Sequence, residues 1–346
     1  MMILTSSDYF ILFAASFISV SALTPIMRIL ALRYGVIDSP TESHKTHKNP
    51  IPYLGGVAIV IGVVAVSYGA SLVSNFSKAT FWLASSALLP AIFMGLIGLI
   101  DDIKKLTPWS RFLVQNAVGL ISAITLVATN TVGSPTGSKI LDVLVSVLWI
   151  VGLTNAINFF DNVDGGASGT VAISALFLFI LAFEGGQILI SALAIVVVGA
   201  TLGFLLWNRP PARIYMGDAG ALFLGLLIAS LTIRLEPNPI NDFAAFSIPF
   251  FLMAIPIMDT SVAVIKRIYR GVSPFQGGRD HLSHRLMRLG LSKRQAVFSL
   301  WLLTLFFSSY TLLLSNIAFH FEGLYSSIGL IIWFSLTLIF LNTADE

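Results

Sequence analysis

The sequence predicts an all-α polytopic membrane protein, one integral membrane domain over 1–346 with about eleven transmembrane helices, its N-terminus outside and its C-terminus in the cytoplasm. Three observations predict this. Of 346 residues, 56% are hydrophobic and 11% charged, whereas soluble domains carry roughly 25% charged residues. Apolar runs near the ~20 residues that a helix needs to cross a bilayer recur from end to end. Sorting the connections between them alternately to two sides puts 17 of the 20 Lys and Arg on one side and leaves only Lys78, Lys139 and Arg234 on the other. The rich side is cytoplasmic by the positive-inside rule.

The first run, 9–32, follows eight residues without a basic group and is too long for a cleaved signal peptide, so it reads as a retained span. The next four spans are 54–72, 80–100, 112–128 and 140–157. Six more follow at 169–183, 187–207, 219–233, 243–264, 296–314 and 324–341, of which 169–183 and 219–233 are short. No polar connection reaches the size of a soluble domain, the longest being 266–295. The polar stretches 38–53, 101–109, 158–166, 208–218 and 266–295 all fall on the cytoplasmic side, so any chemistry belongs to that face. With no cysteine, the chain has no disulfide and no thiolate metal site.

The organising stretch runs from Asn155 to Gly169, with Asn155, Asn158, Asp161, Asn162 and Asp164 between two apolar spans. A polar turn at the water surface would explain Gly165, Gly166 and Gly169. It would not explain so many side-chain oxygens, which are costly at membrane depth unless they have partners or a function.

Asp101 and Asp102 end the third span, where carboxylates meet the negative end of the helix dipole and need a cation. Lys104 and Lys105 could supply it at helical spacing. A divalent cation or a substrate nearby is the other reading. Asp218 opens the eighth span as an N-cap, a metal ligand, or both. Tyr215 is either an interfacial anchor or a platform for a base. The 266–295 loop carries Arg279, His281, His284 and Arg285, and the 38–48 stretch carries His44, Lys45, His47 and Lys48. Lipid headgroups would attract such charge, but arginine beside histidine also suits a diphosphate. Acids from three loops and bases from two on one face fit magnesium, which takes a few carboxylates plus substrate phosphates. There is no Gly-x-x-x-x-Gly-Lys-[Ser/Thr] loop, and nothing beyond two histidines supports zinc.

Asp101-Asp102-x-x-Lys105, Asn155-Ala-Ile-Asn158-x-x-Asp161-x-x-Asp164-Gly165, Tyr215-Met-Gly-Asp218 and the Arg279–Arg285 loop, in this order, resemble the polyprenyl-phosphate N-acetylhexosamine-1-phosphate transferases. The similarity spans 38–292 and is greater to the branch that uses UDP-N-acetylhexosamines. The branch that takes UDP-MurNAc-pentapeptide has three consecutive histidines, absent here. The resemblance implies a magnesium-dependent enzyme of the cytoplasmic membrane, with manganese as a substitute. It would move a sugar 1-phosphate, GlcNAc-1-phosphate first, from a UDP-sugar to undecaprenyl or another polyprenyl phosphate. UMP would be released and a cell-envelope glycan such as lipopolysaccharide or teichoic acid begun. Homodimers are expected as in relatives, and no nucleic-acid partner.

By the same resemblance, Asp218 and Asn158 match metal positions, and Asp101 and Asp102 match the catalytic acidic pair at the lipid phosphate. Tyr215 matches an aromatic stacked on uracil, with Asp164 and Lys48 at uridine contacts. Lys45, Asn155 and Asp161 fall among the substrate-binding positions, and Arg279, His281, His284 and Arg285 match the loop around sugar and diphosphate. Three departures touch the donor side. Asp161-Asn162-Val163-Asp164-Gly165 stands for Asp-Gly-x-Asp-Gly, His281-Leu282-Ser283-His284 for His-x-His-His, and His44-Lys45-Thr46-His47 for Arg-Lys-x-His.

A secondary transporter also puts ionisable groups and glycine-broken helices in a membrane. No internal repeat relates the halves of this chain, however, and the acids gather at one face rather than midway.

Overall fold

In the computed structural model, residues 4–38, 50–73, 77–131, 136–237, 241–274, 278–316 and 321–343 are described. Every predicted span is helical: α1 (Ser6–Tyr34), α2 (Gly55–Val73), α3 (Lys78–Lys104), α4 (Pro108–Ala128), α5 (Lys139–Phe160), α6 (Gly166–Glu184) and α7 (Ile188–Asn208) come first. Then follow α8 (Gly217–Ile233), α9 (Asp242–Leu252), α10 (Ala254–Tyr269), α11 (Leu282–Arg288), α12 (Lys293–Asn316) and α13 (Glu322–Asn342). Between α1 and α2, β1 (Ile37–Asp38) pairs antiparallel with β2 (Ile51–Pro52), Ile37 opposite Pro52. Among the described residues nine helices are long and apolar enough to cross a membrane, and the chain is a multi-pass membrane protein.

Two of the eleven predicted spans differ in form. The span at 243–264 is not one helix: α9 and α10 meet at Met253 with a bend of 77°. Pro249 and Pro256 flank the break, and proline removes a backbone donor and crowds the turn before it. The Leu252 carbonyl, which Pro256 has no N–H to bond, accepts from the Ser174 hydroxyl at 2.6 Å, and the Trp333 indole donates to Ala254 O at 2.9 Å at the start of α10. In an apolar surround such partners are what make a broken helix tolerable. The span at 219–233 is the 17-residue α8. Nearly all its side chains are buried inside the protein, so α8 is the axis of the bundle rather than a lipid-facing helix.

Helix association inside lipid depends on close packing more than on the hydrophobic effect, and small residues permit it. α8 packs against α2, α3 and α5. Gly56 of α2 lies against Gly220, and Gly98 of α3 against the backbone of Asp218, with no room for a Cβ at either place. These contacts fix the depth at which the end of α3 meets the start of α8. The C-terminal ends of α3, α5, α7 and α10 and the N-terminal ends of α4, α6, α8 and α12 thereby gather at one end of the bundle. Helix α13 ends there too, since the Arg285 guanidinium reaches Phe340 O and Thr343 O, both at 3.0 Å. The start of α1 lies at the far end, where Tyr9 packs edge-on against Phe183 at 5.4 Å.

Candidate active site

At the gathered end lies a cavity of about 400 Å³. Asp161, Asp164, Asn158, Tyr215, Asp218, His281 and His284, all named from the sequence, line it. Lys45 and Lys48 lie outside the described residues.

The acidic side is built from four helices. Asn158, in the last turn of α5, donates from Nδ2 to Asp218 Oδ1 at 2.7 Å. Asp218 Oδ2 and Asp101 Oδ2 both accept from Nη1 of Arg111, at 3.1 and 2.8 Å. Arg111 sits in the first turn of α4, where sequence reading did not look for a site residue. It supplies a cation that the end of α3 requires, the part that one of the two readings of the sequence gave to Lys104 and Lys105. Asp101 Oδ1 accepts from Leu106 N at 2.6 Å, which turns the chain toward α4.

Asp102 has a different task. Its Oδ1 accepts from Asp218 N at 2.9 Å and its Oδ2 from Ala219 N at 3.1 Å. The first N–H groups of a helix lack partners within it, so Asp102 caps α8 from a neighbouring helix. Asp218 itself is not the N-cap expected as one alternative, because its carboxylate points to Asn158 and Arg111. Gly217 carries φ 71°, and a Cβ on it would lie 2.7 Å from Asp102 Oδ2. A side chain there would meet both the left-handed backbone and Asp102 Oδ2.

Asp161 follows α5 and is pushed well above the usual carboxylate range, first by burial and then by Asp218, Asp102 and Asp164 nearby. Such crowding of acids is what a bound cation relieves. Among the described residues no three His, Cys, Asp or Glu converge into a cage of their own. A metal here would complete its shell with substrate oxygens or water.

Another part of the cavity wall is held by Asn208, at the end of α7. Its Oδ1 accepts from Gly165 N and Ser168 Oγ, both at 2.9 Å, and its Nδ2 donates to Ile214 O at 3.0 Å. One buried amide thus ties the Asp164 turn to the strand of chain carrying Tyr215. Asp164 Oδ2 accepts from Ala212 N at 3.0 Å and pairs with Lys293 Nζ at 3.1 Å. The Tyr215 phenol is raised by burial and then by Asp164, Asp38 and Asp161. Tyr53 packs beside it with ring centroids 6.2 Å apart.

The histidine side rests on Asp259, a fully buried carboxylate of α10 that sequence reading missed inside a predicted span. Asp259 accepts from Leu282 N at 2.7 Å and lies 2.7 Å from His281 Nδ1. Arg267 Nη2 lies 3.2 Å from His281 Nε2. Arginine only donates, so Nε2 is the acceptor and the proton is on Nδ1, facing Asp259. His284 is lowered to about 4, first by burial and then by His281, so it is neutral at pH 7.

Five expected site residues among the described ones do not line the cavity: Asp101 and Asp102, which face Arg111 and the start of α8 instead, and Asn155, Arg279 and Arg285. Asn155 donates to Gln115 Oε1 at 2.9 Å and to Val151 O at 2.8 Å, joining α5 to α4. Arg279 stands outside the lining. Arg285 is fully buried and donates to Asp280 O, Phe340 O, Thr343 O and Thr343 Oγ1, so its hydrogen bonds tie α11 to the end of α13. Arg285→Ala is therefore expected to lower stability by about 3 kcal/mol, the cost of leaving buried acceptors of a charged donor unsatisfied. Thermal unfolding in detergent checks this against His284→Ala, which should leave the melting temperature nearly unchanged and act on donor affinity. Equal melting temperatures with a weaker donor KM for Arg285→Ala would restore its substrate role.

The sequence profile of Glycosyl transferase family 4 matches residues 84–236. The chain is 32% identical over 334 residues to a probable undecaprenyl-phosphate N-acetylglucosaminyl 1-phosphate transferase of Bacillus subtilis, covering 95% of this chain and 87% of that protein. It is 33% identical over 306 residues to a decaprenyl-phosphate N-acetylglucosaminephosphotransferase of Mycolicibacterium smegmatis, covering 80% and 74%. The chain belongs to glycosyl transferase family 4. A phospho-N-acetylmuramoyl-pentapeptide-transferase of Streptococcus thermophilus is 33% identical over a shorter 216 residues, 56% of this chain and 62% of that protein.

In this family 4 chain two of the departures from the expected motifs meet. Ser283 Oγ donates to Asn162 Oδ1 at 2.6 Å, and Asn162 Nδ2 donates to Phe159 O at 2.9 Å. Asparagine where glycine was expected and serine where histidine was expected thus form one contact between the α5–α6 turn and α11. Neither substitution is readable alone, because each supplies the other's partner across 121 positions of sequence.

Proposed function

We propose that this family 4 protein transfers an N-acetylhexosamine 1-phosphate, GlcNAc-1-phosphate foremost, from a UDP-sugar to undecaprenyl or another polyprenyl phosphate. The lipid phosphate oxygen bonds to the sugar-bearing phosphorus of the donor. The bond from that phosphorus to the bridging oxygen breaks, and UMP leaves with that oxygen. The observation that carries this reading is the convergence of Asp218, Asn158, Arg111 and Asp101 where four helices end beside a polar cavity. Relatives named for polyprenyl-phosphate acceptors support it.

Magnesium fits the donor set. Asp218 and the Asn158 carbonyl oxygen would hold it with substrate phosphates, because magnesium uses one or two carboxylates and keeps the rest of its shell for phosphate and water. When bound it offsets charge between two anionic reactants. Arg111 would take an oxygen of the acceptor phosphate by charge-assisted hydrogen bonding. Asp101 aims that guanidinium. Asp102 sets the start of α8, so that Asp218 faces Asn158. A phosphate with a second pKa of about 6 is largely ionised at neutral pH, which leaves little proton for a carboxylate to remove. Holding the two phosphates in line carries most of the effect.

The site is assigned to the cytoplasmic face of the cell membrane by the basic asymmetry. Eleven crossings require α8 and the bent α9–α10 pair each to count as one. Reporter fusions at Gly137 and Gly271 should lie on opposite sides, outside and cytoplasmic respectively. Finding both on one side overturns the topology.

The deciding experiment is a donor panel with purified protein, undecaprenyl phosphate and magnesium, reading UMP release. UDP-GlcNAc should be turned over and UDP-MurNAc-pentapeptide not. The reverse result would place the chain in the pentapeptide branch, and no UMP from any donor would remove the reading.

A further inference from the structure

We infer that Gln115, acting through Asn155, is a positioning residue that holds Arg111 in place for the acceptor phosphate; this rests on the phosphoryl-transfer reading above. Helix α4 packs against α3 and α5 and turns Leu113, Val114, Leu120, Ile121 and Ile124 outward. Two of its side chains reach across to other helices. Arg111 bonds Asp101 and Asp218, and Gln115 Oε1 accepts from Asn155 Nδ2 at 2.9 Å. Asn116, Ser122 and Thr125 bond back to carbonyls of α4 itself.

Residues four apart share a helix face, so Gln115 lies one turn deeper in the membrane than Arg111. Gly119 follows one turn deeper again, where a Cβ would lie 2.6 Å from Val151 Cγ2 of α5. On α5, Asn155 and Asn158 are three apart and share a face in the same way. The two helices are therefore linked at two levels. At the site, Arg111 and Asn158 both hold Asp218, at 3.1 and 2.7 Å. One turn into the membrane, Gln115 and Asn155 hold each other. A group on the surface of a helix, about 5–6 Å from its axis, moves about 2 Å when the helix turns by about 20°. Such a turn of α4 would break the bond from Arg111 to Asp218, and a misplacement of about 1 Å can cost roughly 100-fold in rate.

Lipid is as apolar as the outward side chains of α4, so apolar burial does not choose its rotation; a polar pair does. Stability alone does not account for Gln115. Its side chain is fully buried, and Nε2 has no hydrogen-bond partner among the described residues. A buried donor left open is destabilising, and a methionine of similar length would fill the space without one. Asn155 Nδ2 would keep its other acceptor, Val151 O at 2.8 Å. What methionine would lose is the Oε1 contact that sets α4 against α5.

The test compares wild type, Gln115→Met and the exchanged pair Gln115→Asn with Asn155→Gln, in detergent with undecaprenyl phosphate, UDP-GlcNAc and magnesium. Gln115→Met should lower kcat/KM for undecaprenyl phosphate at least about tenfold and leave the KM for UDP-GlcNAc within about twofold. Its melting temperature should stay within a few degrees of wild type. The exchanged pair keeps the summed length of the two side chains and should regain most of the lost rate. Unchanged acceptor kinetics for Gln115→Met, an equal loss toward both substrates, or an exchanged pair no better than Gln115→Met would overturn the inference. So would a Gln115→Met protein that melts far lower or does not fold, which would make Gln115 a fastening of α4. Wild type that releases no UMP from any donor would instead defeat the phosphoryl-transfer reading itself, and the inference with it.

Discussion

Asp218→Ala is expected to lower UMP release to below about 1% of wild type while the protein keeps its fold. The magnitude follows from removing one preorganised group from a site of developing charge, which typically costs 10²–10³ in rate. The carboxylate is the one group that Asn158 and Arg111 both address, at 2.7 and 3.1 Å. Its loss removes the anchor for a cation and frees Arg111 to close on Asp101 alone. The start of α8 should survive, because the N–H groups there are capped by Asp102 and not by Asp218. Thermal unfolding should therefore move by a few degrees at most, while residual activity shows weakened magnesium dependence. A variant that is active but markedly less stable would make Asp218 a structural residue and sink the metal assignment.

Asp102→Asn should cost as much in rate, and for a different reason. An asparagine must turn an NH₂ group toward Asp218 N or Ala219 N, where an acceptor is needed. Loss of an N-cap costs about 1–2 kcal/mol, and here it also shifts the Asp218 backbone away from Asn158. The positioning role predicts a lowered melting temperature, a raised magnesium requirement and a residual rate with no new pH dependence. A general-base role predicts an unchanged melting temperature and a residual rate that rises as pH passes about 6, where the lipid phosphate ionises unaided. The second pattern would return Asp102 to the chemistry. Asp101→Asn should behave differently again, losing the Arg111 contact at 2.8 Å while α8 stays capped. Its rate should recover partly in raised magnesium.

The sequence by itself determined the class of fold, because hydropathy is a local property. Each apolar run became helical within a few residues of its predicted bounds, down to the short α8, with only the 243–264 run broken into two helices. It also determined which residues share an end of the bundle. Alternating spans can only place Asp101, Asn158 and Asp218 together, and the cavity lined by Asn158 and Asp218 also holds the motif residues Asp161, Asp164 and Tyr215.

What only the tertiary structure decided is which side chain meets which. Arg111 lies 107 positions from Asp218, Lys293 is remote from Asp164, and Asp259 sits inside an apolar span, so none carries a local signal of its role. Arg285 and Asn155 failed in the other direction. They stand inside motifs, yet they turn to backbone carbonyls and to Gln115. The physical reason is that contact partners depend on rotation and depth of one helix against another. Those are set by Gly56 on Gly220 and Gly98 on the Asp218 backbone. A hydropathy pattern says that two helices are adjacent in the membrane; the missing Cβ atoms decide how far one slides along the other, and so which carboxylate caps α8 and which one faces the cavity.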